Sequence, residues 1–179
     1  MTVLERRSAV GGTWDLFRYP GIRSDSDMFS YAYDLRPWLR PEILASGKEI
    51  RKYLDATIGE FGIRDRIIFG QQVESANWNV ADSMWQVTAY DQEQDERREY
   101  VARFLVVCTG YYDQDRGYTP DFPGMETFGG SIIHPQHWPD DLDYEGKSVV
   151  VIGSRATAAT VVPAMAGKAG HVTMLQRSP

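Results

Sequence analysis

A chain of 179 residues is long enough for one full domain and short for two, and its 42% hydrophobic and 25% charged residues are those of a folded globular protein. A net charge of −6 gives nucleic acid little to bind by bulk electrostatics, and a single cysteine excludes an internal disulfide or a two-cysteine redox centre. No segment approaches the roughly 18 apolar residues of a membrane span, and MTVLERR lacks the apolar stretch of a secretion signal, so the cytoplasm is the expected compartment.

In chain order, TVLE predicts a short strand ending in an acid, Glu5, followed by a glycine-bearing turn through RRSAVGGTW. RYPGIRSDSDMFSYAYDLRPW has no clear period and predicts a long loop, and a loop of that length in a compact protein is usually functional. Over residues 47–61 the apolar positions Ile50, Tyr53, Leu54, Ile58 and Phe61 follow helical spacing, with Gly62 as the stop. RIIFGQQVESANWN, MWQVTAYD and REYVARFLVVCTG carry strand-forming residues separated by turn signals. They predict an antiparallel insertion that returns to a buried strand over residues 104–108, with Cys108 as a buried, inert thiol. A long irregular connector follows. KSVVVIG then predicts a strand, ATAATVVPAMAGK a helix despite its internal Pro163, and HVTMLQRSP a second strand, which together form a βαβ unit.

The turn after the strand of that unit holds the chemistry. A dinucleotide loop has the pattern Gly-x-Gly-x-x-Gly/Ala; here the positions are Gly153, Ser154, Arg155, Ala156, Thr157 and Ala158, so two of the three small positions hold. The first glycine makes the tight turn, the last small residue lets the helix pack on the strand, and the free N–H groups of the helix N-terminus suit phosphates. Arg155 stands where a glycine normally admits the pyrophosphate. Its side chain either obstructs that approach, the simpler expectation, or flips out to pair with the phosphate. Arg177 lies 24 positions beyond Gly153. Where an acid would accept the ribose hydroxyls of NAD, Gln176, Arg177 and Ser178 offer a cation and a hydroxyl that suit the 2′-phosphate of NADP, against the plainer reading of a solvated arginine at a strand end.

LERRSAVGGTWDLFRYPGIRSDSDMFSYAY, FGGSIIHPQHWP, VVVIGSRATA and HVTMLQRSP together resemble the class B flavin-dependent monooxygenases. The resemblance is strongest to their Baeyer-Villiger branch, the one that includes the ethionamide-activating monooxygenase. The fingerprint of that branch, F-x-G-x-x-x-H-x-x-x-W-P/D, is filled by Phe128, Gly130, His134, Trp138 and Pro139. The resemblance implies an α/β fold with two dinucleotide-binding, Rossmann-like domains, both incomplete here, and an antiparallel β insertion. It implies FAD, NADPH and O₂, with the reduced flavin capturing O₂ as a peroxide that inserts oxygen beside a ketone carbonyl or adds it to sulfur.

The implied site residues follow position by position. Glu5 would hold the FAD ribose; Thr13, Trp14, Asp15 and Leu16 would contact the flavin nucleotide, and Val73 the adenine. Arg23, Ser24 and Asp25 would line the space between flavin and nicotinamide, and Asp25 would also position an arginine that stabilises negative charge. Ile152, Gly153, Ser154, Arg155, Ala156, Thr157 and Ala158 would meet NADPH, with Gln176 and Arg177 at its 2′-phosphate. His134, beside Asp25 the other implied catalytic residue, and Trp138 would couple NADPH docking to domain movement, in either a chemical or a purely structural role.

The expected organisation is an FAD-binding part over residues 1–127 lacking its first βα unit, a linker with the fingerprint over 128–146, and the first βαβ of an NADPH-binding part over 147–179. On this reading the chain begins after the family's first glycine-rich loop and stops before the rest of its NADPH domain. Two functional readings stand. One is a monooxygenase whose remaining segments come from a neighbouring chain or from sequence outside the 179 residues. The other is a degenerate, non-catalytic fragment with at most weak nucleotide binding. A disulfide reductase of similar architecture fails for want of a second cysteine.

Overall fold

A computed structural model describes residues 1–177. The elements are β1 (Val3–Leu4), α1 (Thr13–Leu16), α2 (Met28–Tyr31), α3 (Gly47–Glu60), β2 (Ile67–Ile68), β3 (Gln71–Asn79), β4 (Met84–Asp91), β5 (Glu96–Ala102), β6 (Ser148–Ile152), α4 (Ala156–Met165) and β7 (His171–Leu175). Among the described residues they form a parallel pair β1–β2, an antiparallel sheet β3–β4–β5 and a parallel pair β6–β7. The chain divides into two compact units: Met1–Gly12 with Tyr53–Tyr111, and Thr13–Lys52 with the described residues from Tyr112 onward.

In the first unit the antiparallel sheet follows the expected alternation. Val87 and Ala89, on the central strand β4, are buried, and Trp78 sits directly opposite Trp85 with ring centroids 5.6 Å apart. The turn from β4 to β5 is organised by Asp91, whose carboxylate accepts the N–H groups of Glu93 and Gln94 and pairs with Arg98 at 3.1 Å. After Ala102, however, the apolar run is not a strand. Phe104, Val106 and Val107 are 87%, 81% and 70% exposed, and Cys108 is exposed rather than buried. Apolar composition predicts burial, but burial requires a neighbour. Among the described residues β1 and β2 are two residues each and pair with each other, leaving this run without a partner strand.

In the second unit β6, α4 and β7 form the expected βαβ, with β6 and β7 parallel over five residue pairs from Ser148↔His171 to Ile152↔Leu175. The core between helix and sheet is Phe17, Tyr19, Val161 and Met165, flanked by Val149, Val151, Val172, Trp138 and Tyr144. The sequence GIRSDSDMFSYAYDLRPW, irregular by pattern, is braced along its length. Ser24 N–H donates to the Ala45 carbonyl and Ala45 N–H to the Ser24 hydroxyl; Met28 N–H donates to the Ile43 carbonyl, and the Trp38 indole N–H to the Glu42 carbonyl. Gly21 explains how this segment reaches α4. Its φ is +80°, and an added Cβ would lie 2.4 Å from the Thr160 carbonyl oxygen and 2.7 Å from the Ala164 Cβ, so only glycine fits.

The ends of helix α3 match its sequence. Ser46 accepts the Glu49 N–H in a Ser-x-x-Glu capping arrangement. At the other end Gly62, with φ +59°, closes a Schellman motif in which Ile63 N–H donates to the Ile58 carbonyl and Gly62 N–H to the Gly59 carbonyl.

Candidate nucleotide-binding site

The turn from β6 into α4 is the candidate phosphate site of the second unit. Gly153 has φ +131°, a conformation that favours glycine, and an added Cβ would meet nothing within 4 Å, so the turn is open. Its N–H donates to the Leu175 carbonyl, fixing the turn beside the end of β7. Arg155 is the N-cap of α4, in an extended conformation at φ −89°, with an exposed side chain that makes no capping bond. The backbone at this position therefore does not require glycine. The first helical turn contains no acidic residue, which leaves the partial positive charge of the helix start uncompensated within that turn. Ala158 is 4% exposed, as a small residue that lets the helix approach the sheet must be. Ile152 ends β6 exposed, Ser154 and Ala156 are exposed, and Thr157 is half-buried. Gln176 and Arg177 are exposed just past β7, while Ser178 lies outside the described residues. An open glycine turn, a helix start without an acid and an exposed arginine past the second strand are features that would suit a phosphorylated dinucleotide.

The remaining predicted residues divide between the units. In the first, Glu5 follows β1, and its carboxylate accepts the Arg7 N–H at 2.8 Å, while Val73 is 46% exposed at an irregularity in the register of β3. An acid at the end of a strand suits an adenosine ribose; none of the described residues of this unit forms a Gly-x-Gly-x-x-Gly turn for the diphosphate of FAD. In the second unit Arg23 and Asp25 are exposed, whereas Ser24 is 2% exposed with its hydroxyl committed to Ala45. Arg23 lines an open groove with Gly21, Lys48 and Thr160. Thr13 is exposed, and the Trp14 indole N–H donates to the Tyr31 hydroxyl at 3.1 Å. Leu16 packs against the Phe17–Val161 core. Asp15 is 3% exposed, with its carboxylate 3.1 Å from Arg51 and 3.5 Å from Arg18.

The fingerprint residues make their own contacts within the second unit. A Cβ on Gly130 would lie 2.7 Å from the Phe128 ring, so the Phe-x-Gly spacing lets the ring fold back over bare backbone. Trp138 packs edge-on to Tyr144 at 6.4 Å, and both flank the α4 core. His134 caps the turn Pro135–His137, its Nδ1 accepting the Gln136 N–H at 3.2 Å. Burial, helped by the nearby His137, holds the His134 imidazole below the usual histidine range, toward its neutral form.

The flavin-binding monooxygenase-like family matches residues 33–178, more than half of the sequence. The chain belongs to that family. It is 55% identical over its full length to MymA of Mycobacterium tuberculosis and 52% identical over 99% of its length to the FAD-containing monooxygenase EthA of the same species. It spans 37% and 36% of those relatives' lengths. Among solved structures, the oxidised steroid monooxygenase bound to NADP matches with a TM-score of 0.83 and 34% identity, covering 99% of this chain and 34% of that one. The mixed α/β fold is thus the flavin monooxygenase fold in part. No helix of the described residues is long and apolar enough to cross a membrane.

Three residues of this family member were not singled out by sequence reasoning. Gly117 lies against the His134 ring, the Gln136 side chain donates to the Asp113 carbonyl, and Gly21 touches α4. Each is defined by a partner distant in sequence, and the one local signal was the turn-forming Pro-Gly of RYPG.

Proposed function

We propose that the chain is part of an FAD- and NADPH-dependent monooxygenase that adds one oxygen atom from O₂ to a ketone, in a Baeyer-Villiger reaction, or to sulfur. The observation that carries this reading is the open Gly153 turn at the start of α4, within a chain that also fills the Baeyer-Villiger fingerprint at all five specified positions. Membership of a flavin-binding monooxygenase-like family supports it, as do relatives described as FAD-containing and a fold neighbour solved with NADP.

In this reading the N–H groups at the start of α4 hold the diphosphate of NADPH, and Gly153 keeps the approach clear of side-chain atoms. Arg155 points its guanidinium outward, where it adds positive charge beside the diphosphate. Gln176 and Arg177 hold the 2′-phosphate by charge-assisted hydrogen bonds. Glu5 accepts the ribose hydroxyls of FAD, Thr13, Trp14, Asp15 and Leu16 line the flavin nucleotide, and Val73 covers the adenine. Asp15 serves through its backbone, since its carboxylate is engaged by Arg51 and Arg18. Arg23 and Asp25 face the nicotinamide with exposed side chains, and Ser24 holds their strand-like segment to Ala45. Bound FAD, reduced by NADPH, supplies the electrons that activate O₂. Residues 1–127, 128–146 and 147–179 then act as the FAD part, the coupling linker and the NADPH part of a cytoplasmic enzyme.

The test is the chain extended at both ends with the segments its relatives carry, purified and supplied with FAD, NADPH and a panel of cyclic and linear ketones and thioethers. NADPH consumption coupled to lactone, ester or sulfoxide formation is the expected result. A second reading, a degenerate, non-catalytic fragment with at most weak nucleotide binding, draws on the exposed apolar strip Phe104, Val106 and Val107. Nucleotide binding without any substrate-dependent turnover would favour it.

A further inference from the structure

The fingerprint histidine is held from two sides by residues outside the fingerprint. On one side, Gln136 donates its backbone N–H to His134 Nδ1, and its own side chain is 3% exposed with Nε2 donating to the Asp113 carbonyl. On the other, Gly117 lies against the ring edge: an added Cβ would be 2.0 Å from Cε1, 2.2 Å from Nδ1 and 2.4 Å from Nε2. Gly117 needs no unusual backbone angle, since its φ is not in the positive region. The absent side chain serves packing alone.

The protonation state follows from the donors. A backbone N–H can only donate, so Nδ1 is the unprotonated nitrogen and the neutral ring carries its hydrogen on Nε2. Charging the ring would put a proton on the one nitrogen already accepting a hydrogen bond. We infer that Gly117 and Gln136 are positioning residues that lock His134 as a neutral latch between the 113–117 loop and the Pro135–His137 turn. In that role the imidazole is a structural hydrogen-bond acceptor and does not donate a proton to the reaction.

The charged groups around the ring are consistent with a latch. His137, on the same turn, opposes a second positive charge. On the facing loop the Asp113 carboxylate accepts the N–H groups of Asp115 and Arg116 and lies 3.8 Å from the Arg116 guanidinium, so it is turned on its own loop. Asp115 completes that loop's charges. The assignment concerns the 179-residue chain's own turn and stands apart from the proposed reaction, because every contact in it lies in one unit.

The test is a double-substitution cycle on the whole chain, Gly117→Ala and His134→Ala alone and together, read by thermal unfolding. Gly117→Ala is expected to lower the unfolding midpoint by about 3 °C or more, and by less than about 1 °C when the ring is already gone. If Gly117→Ala alone fails to fold, recovery of folding in the double variant is the same result. An equal loss in both backgrounds would overturn the contact. Independently, imidazole nitrogen shifts in the parent between about pH 5 and 8 report the tautomer. A persistent Nε2–H form that resists protonation is expected, replaced by a tautomer mixture with ordinary titration in Gly117→Ala. Ordinary titration with mixed tautomers in the parent would overturn the proposal.

Discussion

The two parallel strand pairs differ in what covers them. β6 and β7 pair over five residues, with α4 as their crossover, and Val161 and Met165 at 1% and 2% exposure close the core beneath them. β1 and β2 pair over two residues, Val3 is 37% exposed, and 62 residues separate the two strands in sequence, including the whole Thr13–Lys52 segment of the other unit. The same hydrogen-bond pattern therefore has different standing in the two places. A parallel pair is stabilised chiefly by the apolar layer on its faces rather than by its ladder, and a crossover of a dozen residues or so supplies that layer directly. The Gly153 turn, the candidate phosphate site, consequently sits on a finished scaffold, whereas Glu5, the candidate ribose acceptor, sits on a thin one.

The strongest way to break the finished scaffold is at Gly21. Gly21→Ala combines a strained positive φ with a 2.4 Å approach to the Thr160 carbonyl, a backbone atom that cannot swing aside. A destabilisation of about 3 kcal/mol or more is expected in urea unfolding followed by circular dichroism; a loss under about 1 kcal/mol would mean that the Gly21 segment does not rest on α4. Cavity substitutions then sharpen the contrast between the pairs. Val161→Ala should cost about 2 kcal/mol, against about 0.5 kcal/mol or less for Val3→Ala, by the same unfolding measurement. Equal costs would remove the distinction.

The smallest effect is one of pH. The folded-state pKa of His134 is lowered by burial, so the fold favours the neutral ring. Its contribution is fully present above the unfolded value of about 6.5 and is lost as pH falls through that value toward the folded one. His134→Asn keeps a cap acceptor and removes the titration. The part of the stability decline below about pH 6.5 that belongs to this ring should vanish in that variant, and an unchanged pH profile would show that the ring titrates alike in both states.

Much of this was legible locally. The βαβ followed from periodicity and from a glycine at a strand end, the antiparallel sheet from alternating runs between turn signals, and α3 from Ser46, Glu49 and Gly62, whose capping roles are set by neighbours three to five residues away. What failed was residues 104–108, because hydrophobicity records a preference for burial and says nothing of whether a partner strand is present. In the candidate site, Gly153 and Ala158 were readable since the loop pattern is contiguous. Ser24 and Asp15 have side chains engaged by Ala45 and by Arg51, contacts that span 21 and 36 positions and leave no local trace. Gly117 was invisible for the same reason, with its partner ring at position 134.

The claim that the β6–α4–β7 turn takes a 2′-phosphorylated dinucleotide rests on Arg177, exposed just beyond β7. The direct measurement is calorimetric titration of the parent and Arg177→Ala with NADPH and with NADH. A charge-assisted hydrogen bond is worth about 1.5 to 3 kcal/mol, and about 1.4 kcal/mol is a factor of ten in affinity. The parent should prefer NADPH, and Arg177→Ala should lower that preference by about tenfold or more, with NADH binding little changed. A ratio of the two affinities that stays the same in the variant would contradict the account and leave Arg177 a solvated residue at a strand end.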